Sequence, residues 1–223
     1  MKTLKITLAV LLIQFTSFAQ DCSTFYPFEE GITFQITNYG KNKKVAAITD
    51  YRITDVTDNS ATFNSALRDK NGEVLNEASF NIICENDGVT IDMQSLLNPQ
   101  LFDNFRDFET DISGTKIVLP NNLHIGQELQ DATMKMKINM SGINMKMEVT
   151  MTDRSVLDIE TITTRAGTFE CYVIGYINTV NMGMNRTTTA KQWIARGVGM
   201  VKQEDYNRRG KVTSSSMLTD FYR

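Results

Sequence analysis

Most of the chain consists of short runs in which apolar and polar residues alternate, a pattern that predicts β-strands with one buried face. The clearest runs cover residues 31–39, 45–56, 61–68, 74–84 and 89–94. Asn71 and Gly72 form the tip of the turn between the third and fourth runs, and Asn-Gly is the strongest short-range signal of a hairpin. A further turn at 206–211 separates runs at 198–206 and 211–222. These runs predict about ten to twelve consecutive antiparallel strands.

The predicted fold is therefore mainly β: an antiparallel meander that forms a curved sheet or a partly open β-barrel with one short helix. The helix is predicted at residues 95–108, because Leu97, Leu101 and Phe105 recur at helical spacing. Pro99 would lie in its first turn, where the missing N–H costs little. We expect this helix to cap the sheet or one barrel end, and the alternative is a lid over a groove.

Six methionines lie between Met134 and Met151, in the segment MKMKINMSGINMKMEVTM. If Ser141 and Gly142 form a two-residue turn, the flanking strands sort their side chains onto two faces. The apolar face pairs Met134, Met136, Ile138 and Met140 with Val149, Met147, Met145 and Ile143. The polar face pairs Lys135, Lys137 and Asn139 with Glu148, Lys146 and Asn144. This pattern predicts a half-buried hairpin with a methionine-lined inner face.

Methionine is an unusual choice for such a face, because strands generally pack with valine, isoleucine and phenylalanine. Its flexible, polarizable side chain adapts to irregular or varied partners. One hypothesis is a groove for an apolar, lipid-like ligand, and the other is a core padded with methionine. The predicted ligand-binding residues are Met134, Met136, Met140, Met145, Met147, Met151, Met182, Met184 and Trp193. Trp193, the only tryptophan, would line the groove or cap the core.

A third hypothesis is a Cu(I) site. It rests on three M-x-M pairs, Met134/Met136, Met145/Met147 and Met182/Met184, since soft thioethers suit Cu(I). Such sites usually recruit a histidine or cysteine as well, and the only histidine, His124, is predicted to lie solvated in a loop. No metal ligand or cofactor is therefore assigned.

The first residues resemble a signal peptide. Lys2 and Lys5 precede a short apolar run at 6–15, and Ser17 and Ala19 are small residues at the −3 and −1 positions of a cleavage site. We expect residues 1–19 to be a signal peptide, residues 20–223 to form a single β-rich domain, and the product to be periplasmic or secreted. Lipidation of Cys22 is the rival interpretation, which the preceding Asp21 disfavours. No later run is long enough to predict a membrane span.

Charge and cysteines narrow the function classes. The formal net charge is −3 and no dense positive run exists, so nucleic acid is not an expected partner. The expected partners are an apolar small molecule or lipid, or another envelope protein. Cys22, Cys84 and Cys171 predict one disulfide and one free thiol in an oxidising compartment. We favour a Cys84–Cys171 pairing, because both share apolar strand faces, and the alternative is three buried thiols.

Nothing in the sequence predicts an enzyme. The single histidine cannot supply a Ser/His/Asp triad together with metal ligands, and no Gly-rich phosphate loop, H-E-x-x-H or C-x-x-C motif occurs. Carboxylates are frequent, but no spacing indicates a pair across a cleft. We therefore expect a non-catalytic protein that binds an apolar ligand, or alternatively a structural or protein-interaction module of the bacterial envelope.

Four stretches in order carry a resemblance to a known family. They are CSTFYPFEEGITFQ (22–35), LPNNLHIGQELQD (119–131), AGTFECYVI (166–174) and WIARGVGMVKQEDYNRRGK (193–211). This set resembles the TapB-like exported proteins of Bacteroidetes-type bacteria, close to a domain-of-unknown-function family of secreted β-rich proteins. The resemblance implies one envelope or secreted β domain, loosely similar to the open half-barrels of lipoprotein carriers. It carries over no catalytic residue.

Overall fold

The computed structural model describes residues 22–92, 109–140 and 143–223. The predicted signal peptide, the helix predicted at 95–108 and the turn at Ser141 and Gly142 lie outside these residues. No helix within the described ranges is long and apolar enough to cross a membrane.

The described chain forms thirteen strands in one antiparallel sheet, which confirms the predicted fold class. The strands are β1 (Thr33–Tyr39), β2 (Val45–Val56), β3 (Ser60–Asp69), β4 (Val74–Cys84), β5 (Gly88–Asp92), β6 (Glu109–Gly114), β7 (Lys116–Pro120), β8 (Ala132–Met140), β9 (Ile143–Thr164), β10 (Gly167–Asn181), β11 (Asn185–Ala195), β12 (Gly199–Tyr206) and β13 (Val212–Tyr222). Their spatial order is β6-β8-β9-β10-β11-β12-β13-β1-β2-β3-β4-β5-β7. The strands predicted from alternation agree with β1 to β5, β12 and β13 within about two residues.

The two ends of this sheet are consecutive in the chain. β6 pairs with β8 and β7 pairs with β5, and only Thr115 separates β6 from β7. The Thr115 N–H donates to the Thr133 carbonyl at 2.8 Å, and the Thr133 N–H donates to the Thr115 hydroxyl at 2.8 Å. The segment 109–120 therefore joins both ends of the sheet and makes it a nearly closed, barrel-like structure.

Two glycines let the backbones approach closely at this junction. A Cβ on Gly114 would press on the Thr133 carbonyl oxygen and lie 2.9 Å from the Cα of Met134. A Cβ on Gly88 would press on the Leu119 carbonyl oxygen and lie 2.9 Å from the Cα of Pro120. Each obstacle is backbone, which cannot rotate away as a side chain could, so these positions require glycine.

Two clusters of buried side chains lie on opposite faces of the sheet. The main cluster fills the interior of the barrel and includes Phe63 and Ile194, whereas the second cluster includes Cys171 and Trp193. Consecutive residues of β11 alternate between the two clusters, since Ile194 belongs to the first and its neighbours Trp193 and Ala195 belong to the second. Period-two alternation therefore buries both faces at β10 and β11.

The tip of the β9–β10 hairpin covers the second cluster. Arg165 at this tip donates through Nε to the Thr219 carbonyl of β13 at 3.2 Å, and its Nη2 lies 2.5 Å from the Asp220 carboxylate. Ile162 and Phe169, on either side of the tip, pack against the cluster. The long hairpin therefore folds over the sheet and shields the second cluster from solvent.

The predicted Cys84–Cys171 pairing is wrong. The disulfide joins Cys22 and Cys84, whose Cα atoms lie 5.6 Å apart, and Cys171 is a buried free thiol. The reason is that Cys84 packs against the main cluster and Cys171 belongs to the second one. Asn121 holds the N-terminal segment in place, because its side chain binds the Cys22 carbonyl at 3.2 Å and the Thr24 N–H at 2.8 Å.

Alanine at Gly114 should weaken the junction. We expect Gly114→Ala to lower the free energy of unfolding by about 3 kcal/mol, because overpacking against fixed atoms destabilises by that order. Gly40→Ala is the control, since its nearest neighbour to an added Cβ lies 4.0 Å away; it should change stability by no more than about 0.5 kcal/mol. Urea unfolding measures both, and equal effects would contradict the role assigned to the junction.

The cysteine assignment predicts a labelling pattern. Burial, assisted by the nearby Glu160 and Glu170 carboxylates, raises the pKa of Cys171 to about 11, so little thiolate forms at neutral pH. A maleimide should label no cysteine in the native protein and only Cys171 after denaturation without reductant. Mass spectrometry with peptide mapping reads out the sites, and label on Cys22 or Cys84 before reduction would refute the disulfide.

Candidate functional site

The predicted register of the methionine hairpin is confirmed. β8 and β9 pair Met134 with Val149, Met136 with Met147 and Ile138 with Met145. The polar face also pairs as predicted: Lys135 lies 3.6 Å from the Glu148 carboxylate. The one like-charge pair, Lys137 opposite Lys146, is relieved because Asp111 of β6 lies 3.8 Å from the Lys137 ammonium.

The methionine face is part of the packed interior. Met134 is 2%, Met136 1%, Met147 1% and Met151 7% exposed. All four belong to the main cluster, and the partly buried Met145 packs against it. These positions match the interpretation in which methionines pad a core.

Of the remaining predicted site residues, Met182, Met184 and Trp193 do not join this face. Met182 is 45% and Met184 is 84% exposed, and both lie in the turn between β10 and β11. The backbone of Met140 ends β8, and its side chain lies outside the described part. The M-x-M pairs therefore differ in environment, with Met134 and Met136 buried and Met182 and Met184 in solvent, and no contact between them supports a shared copper site.

Trp193 lies on the other face of the sheet, in the second cluster, and is 3% exposed. Its indole N–H donates to Glu160 at 2.9 Å, and the Lys202 ammonium lies 4.3 Å from the ring centroid. Lys202 also lies 2.9 Å from Glu204, which accepts a hydrogen bond from the Tyr206 hydroxyl. Burial alone would raise the pKa of Glu204, but the hydrogen bonds from Tyr206 and Lys202 lower it. This network covers the second cluster, and the sheet itself separates Trp193 from the methionines of the main cluster.

A groove of about 760 Å³ crosses five strands, β13-β1-β2-β3-β4, and we call it the cross-strand groove. Its size falls in the usual range of ligand sites. Two rows of laterally paired residues line it: Tyr222, Thr33, Arg52, Asn64 and Ser79 form one row, and Asp220, Gln35, Asp50, Ala66 and Glu77 form the other. Sequence reasoning missed it, because the rows join residues from opposite ends of the chain.

The floor between the two rows is the backbone of the intervening residues. Phe34 and Tyr51 are paired there, and their rings stack on the other face with centroids 4.6 Å apart and planes 9° apart. Burial raises the pKa of Tyr51 to about 12. The stacked rings pack against Phe63 and Phe80 of the neighbouring strands, so the groove has a rigid base.

Some of the charged side chains in the groove have hydrogen-bond or ion-pair partners, and one does not. Asp50 binds Arg68 and the Gln35 amide, each at 2.8 Å, and Asp220 is paired with Arg165. The Arg52 side chain is exposed and has no hydrogen bond or ion pair within the described ranges. Tyr222, in the same row, is 64% exposed. The groove therefore offers one uncompensated guanidinium and one exposed aromatic ring.

No group of three or more histidine, cysteine, aspartate or glutamate side chains converges as metal ligands in the described part of the chain. His124 is exposed in the loop after β7, as predicted. Its backbone N–H donates to the Gln127 side chain at 3.1 Å. Within the described ranges, His124 has no side-chain hydrogen bond or ion pair with a nucleophile or a carboxylate.

Comparisons with solved structures identify two close folds. A protein of Bacteroides fragilis, described as a candidate exported protein with a YmcC-like fold, superposes with a TM-score of 0.78 at 21% identity, covering 91% of this chain and 100% of its own. A candidate lipoprotein of Parabacteroides distasonis superposes with a TM-score of 0.75 at 21% identity, with the same coverage. No curated protein sequence matches the chain.

A family model described as DUF3108-like matches residues 29–218, which is most of the chain. The match does not confirm the TapB-like name, but it agrees with the expected link to a domain-of-unknown-function family. The chain therefore belongs to the DUF3108-like family.

Proposed function

We propose that this protein is a non-catalytic module of the bacterial cell envelope, or of the secreted fraction, that binds a protein partner through the cross-strand groove. The observation that carries the proposal is the pair Arg52 and Tyr222, which stand unpartnered and exposed on one rigid face. The relatives support the location, since one is described as an exported protein and the other as a lipoprotein.

Burial of the methionine face favours this function over an apolar groove. An apolar ligand would have to displace Met134, Met136 or Met147, which are at most 2% exposed and packed in the main cluster. Opening a close-packed core forfeits many dispersion contacts at once. The methionines therefore support the fold, and the binding of the protein partner is assigned to the surface.

The geometry of the groove suits a protein surface. Thr33 is paired with Tyr222 on one side and with Arg52 on the other, so the two side chains stand about 10 Å apart, two strand spacings. Tyrosine and arginine are the residue types that dominate binding energy at interfaces. The partner that fits would place a carboxylate on Arg52 and an apolar surface on the Tyr222 ring.

The core role of the methionines predicts unequal effects of truncation. We expect Met136→Ala to lower the free energy of unfolding by about 2–5 kcal/mol, because it leaves a cavity in the interior. Met184→Ala is the control and should change it by less than about 0.5 kcal/mol, because Met184 is in solvent. If urea unfolding showed Met136→Ala to be neutral, the core assignment would be wrong.

The groove is tested by a photo-crosslinking amino acid placed at Tyr222 in cells of the source bacterium. We expect it to capture a defined envelope protein, whereas the same probe at Val212, which is 41% exposed, should not. With the purified partner, Arg52→Ala and Tyr222→Ala should each weaken binding by about 30-fold, the scale of an interface hot spot. Arg208→Ala, an exposed arginine in the β12–β13 turn, is the control.

Equal capture from positions 222 and 212, or binding that survives both Arg52→Ala and Tyr222→Ala, would overturn the proposed function. Circular dichroism of each variant separates a binding defect from misfolding. Neither substitution removes a buried contact, so both variants should fold.

A further inference from the structure

Arg154 is a buried cation inside the barrel. It lies on β9 next to Asp153, whose φ of +53° marks a local break in the strand, and the β9–β10 register slips at the same place. Its carbonyl accepts the Leu129 N–H at 2.8 Å. The residue is 4% exposed, and the slip turns its side chain to the interior face, as for the buried Val156 two residues later.

The Arg154 guanidinium lacks the partners that a buried charge requires. It donates one hydrogen bond, through Nη1 to the Gln130 carbonyl, and its buried Nε has no partner. Among the residues that the structure describes, no carboxylate lies within ion-pair distance of the guanidinium, and the Asp131 carboxylate acts on its charge only from farther away. An arginine has five N–H donors and stays protonated, and a buried charge without a directly bound counter-ion is unfavourable.

Other unpaired polar groups surround it. Tyr176 lies in the same register slip, between the paired residues Gly175 and Ile177. Burial raises the pKa of both Tyr176 and Tyr26, and the nearby Arg154 charge lowers it to a smaller extent. Neither hydroxyl makes a hydrogen bond within the described ranges. The Asn178 Oδ1, two residues after Tyr176, is also buried and unpartnered.

We infer that Arg154, Tyr26 and Tyr176 form an internal oxyanion site, which binds a carboxylate or phosphate group of a ligand. A planar guanidinium pairs with two oxygens of such a group at once, and the two phenols supply further donors. Water could satisfy the hydrogen bonds, but only an anion forms an ion pair with the guanidinium. The site is separate from the cross-strand groove and does not depend on the proposed function.

The inference predicts opposite effects on binding and stability. Decanoate, acetate and inorganic phosphate are titrated against the wild-type protein and Arg154→Met, with Arg208→Met as the matched control. We expect at least one anion to raise the melting temperature of wild type and Arg208→Met by about 5–10 °C at saturation. Arg154→Met should bind it at least about 30-fold more weakly. Without ligand, Arg154→Met should melt at or above the wild-type temperature, because it replaces an unpaired buried charge with an apolar side chain.

The anion that binds shows whether the ligand is a carboxylate on an apolar chain or a small anion. Decanoate binding without acetate or phosphate binding would identify a carboxylate on an apolar chain, and binding of phosphate or acetate would identify a site for the charged group itself. Decanol is the neutral analogue of decanoate and should bind at least about tenfold more weakly, since it carries no charge.

Three results would overturn the inference: no anion shifts the wild type, decanoate binds and decanol binds equally well, or Arg154→Met binds the anion unchanged. If Arg154→Met failed to fold, Arg154→Lys would serve, because it keeps the charge and loses the planar fork, and binding should weaken at least about tenfold. Tyr222→Ala should bind the anion as the wild type does, so failure of this site and failure of the groove are distinguishable.

Discussion

The architecture depends on one stretch of backbone, residues 109–120, that pairs with both ends of the sheet. Its first half, β6, pairs with β8, and its second half, β7, pairs with β5. The two ends of the thirteen-stranded sheet are therefore joined through a single residue, Thr115. Near-closure leaves only the short strands β6 and β7 at the edges of the described sheet, which limits pairing with other chains. It also turns one face of every strand toward a common interior, and this decides which side chains the protein can bury.

Once the sheet closes, strand alternation determines the fate of each residue. On the solvent face of the methionine hairpin, Lys135 pairs with Glu148 and Lys137 with Asp111 of β6, while the buried methionines enter the interior. At β10 and β11 both faces are buried, because the β9–β10 tip folds over the second cluster. The flexible methionine side chain suits an interior whose walls are interrupted by register slips, where stiffer β-branched side chains would leave gaps.

The local pairing could be predicted from the sequence, and the long-range pairing could not. The methionine hairpin was predictable because its polar residues sort as cleanly as its apolar ones. The junction was not predictable. Ile112 and Ile117 both face the interior although they are an odd number of residues apart, because the extra residue Thr115 interrupts the alternation between the two strands. The disulfide was missed because alternation shows which residues share a face of one strand, but not whether the apolar faces of two distant strands pack into the same cluster. The cross-strand groove needed the pairing of Thr33 with Tyr222, which no local pattern encodes.

The interior contains a buried charge, Arg154, close to the flexible side chain of Met151. Arg154 faces inward beside Tyr176 at the register slip, while Met151, three residues earlier, faces Asn178 across the same pair of strands. A fold selected for stability alone would replace such a charge with a hydrophobic side chain, which is often neutral or stabilising. Sheet closure and the Cys22–Cys84 link supply stability that can offset the charge. Retaining a guanidinium that has no directly bound carboxylate, beside a wall that contains methionine, is the arrangement expected of a protein that binds an anion in its interior.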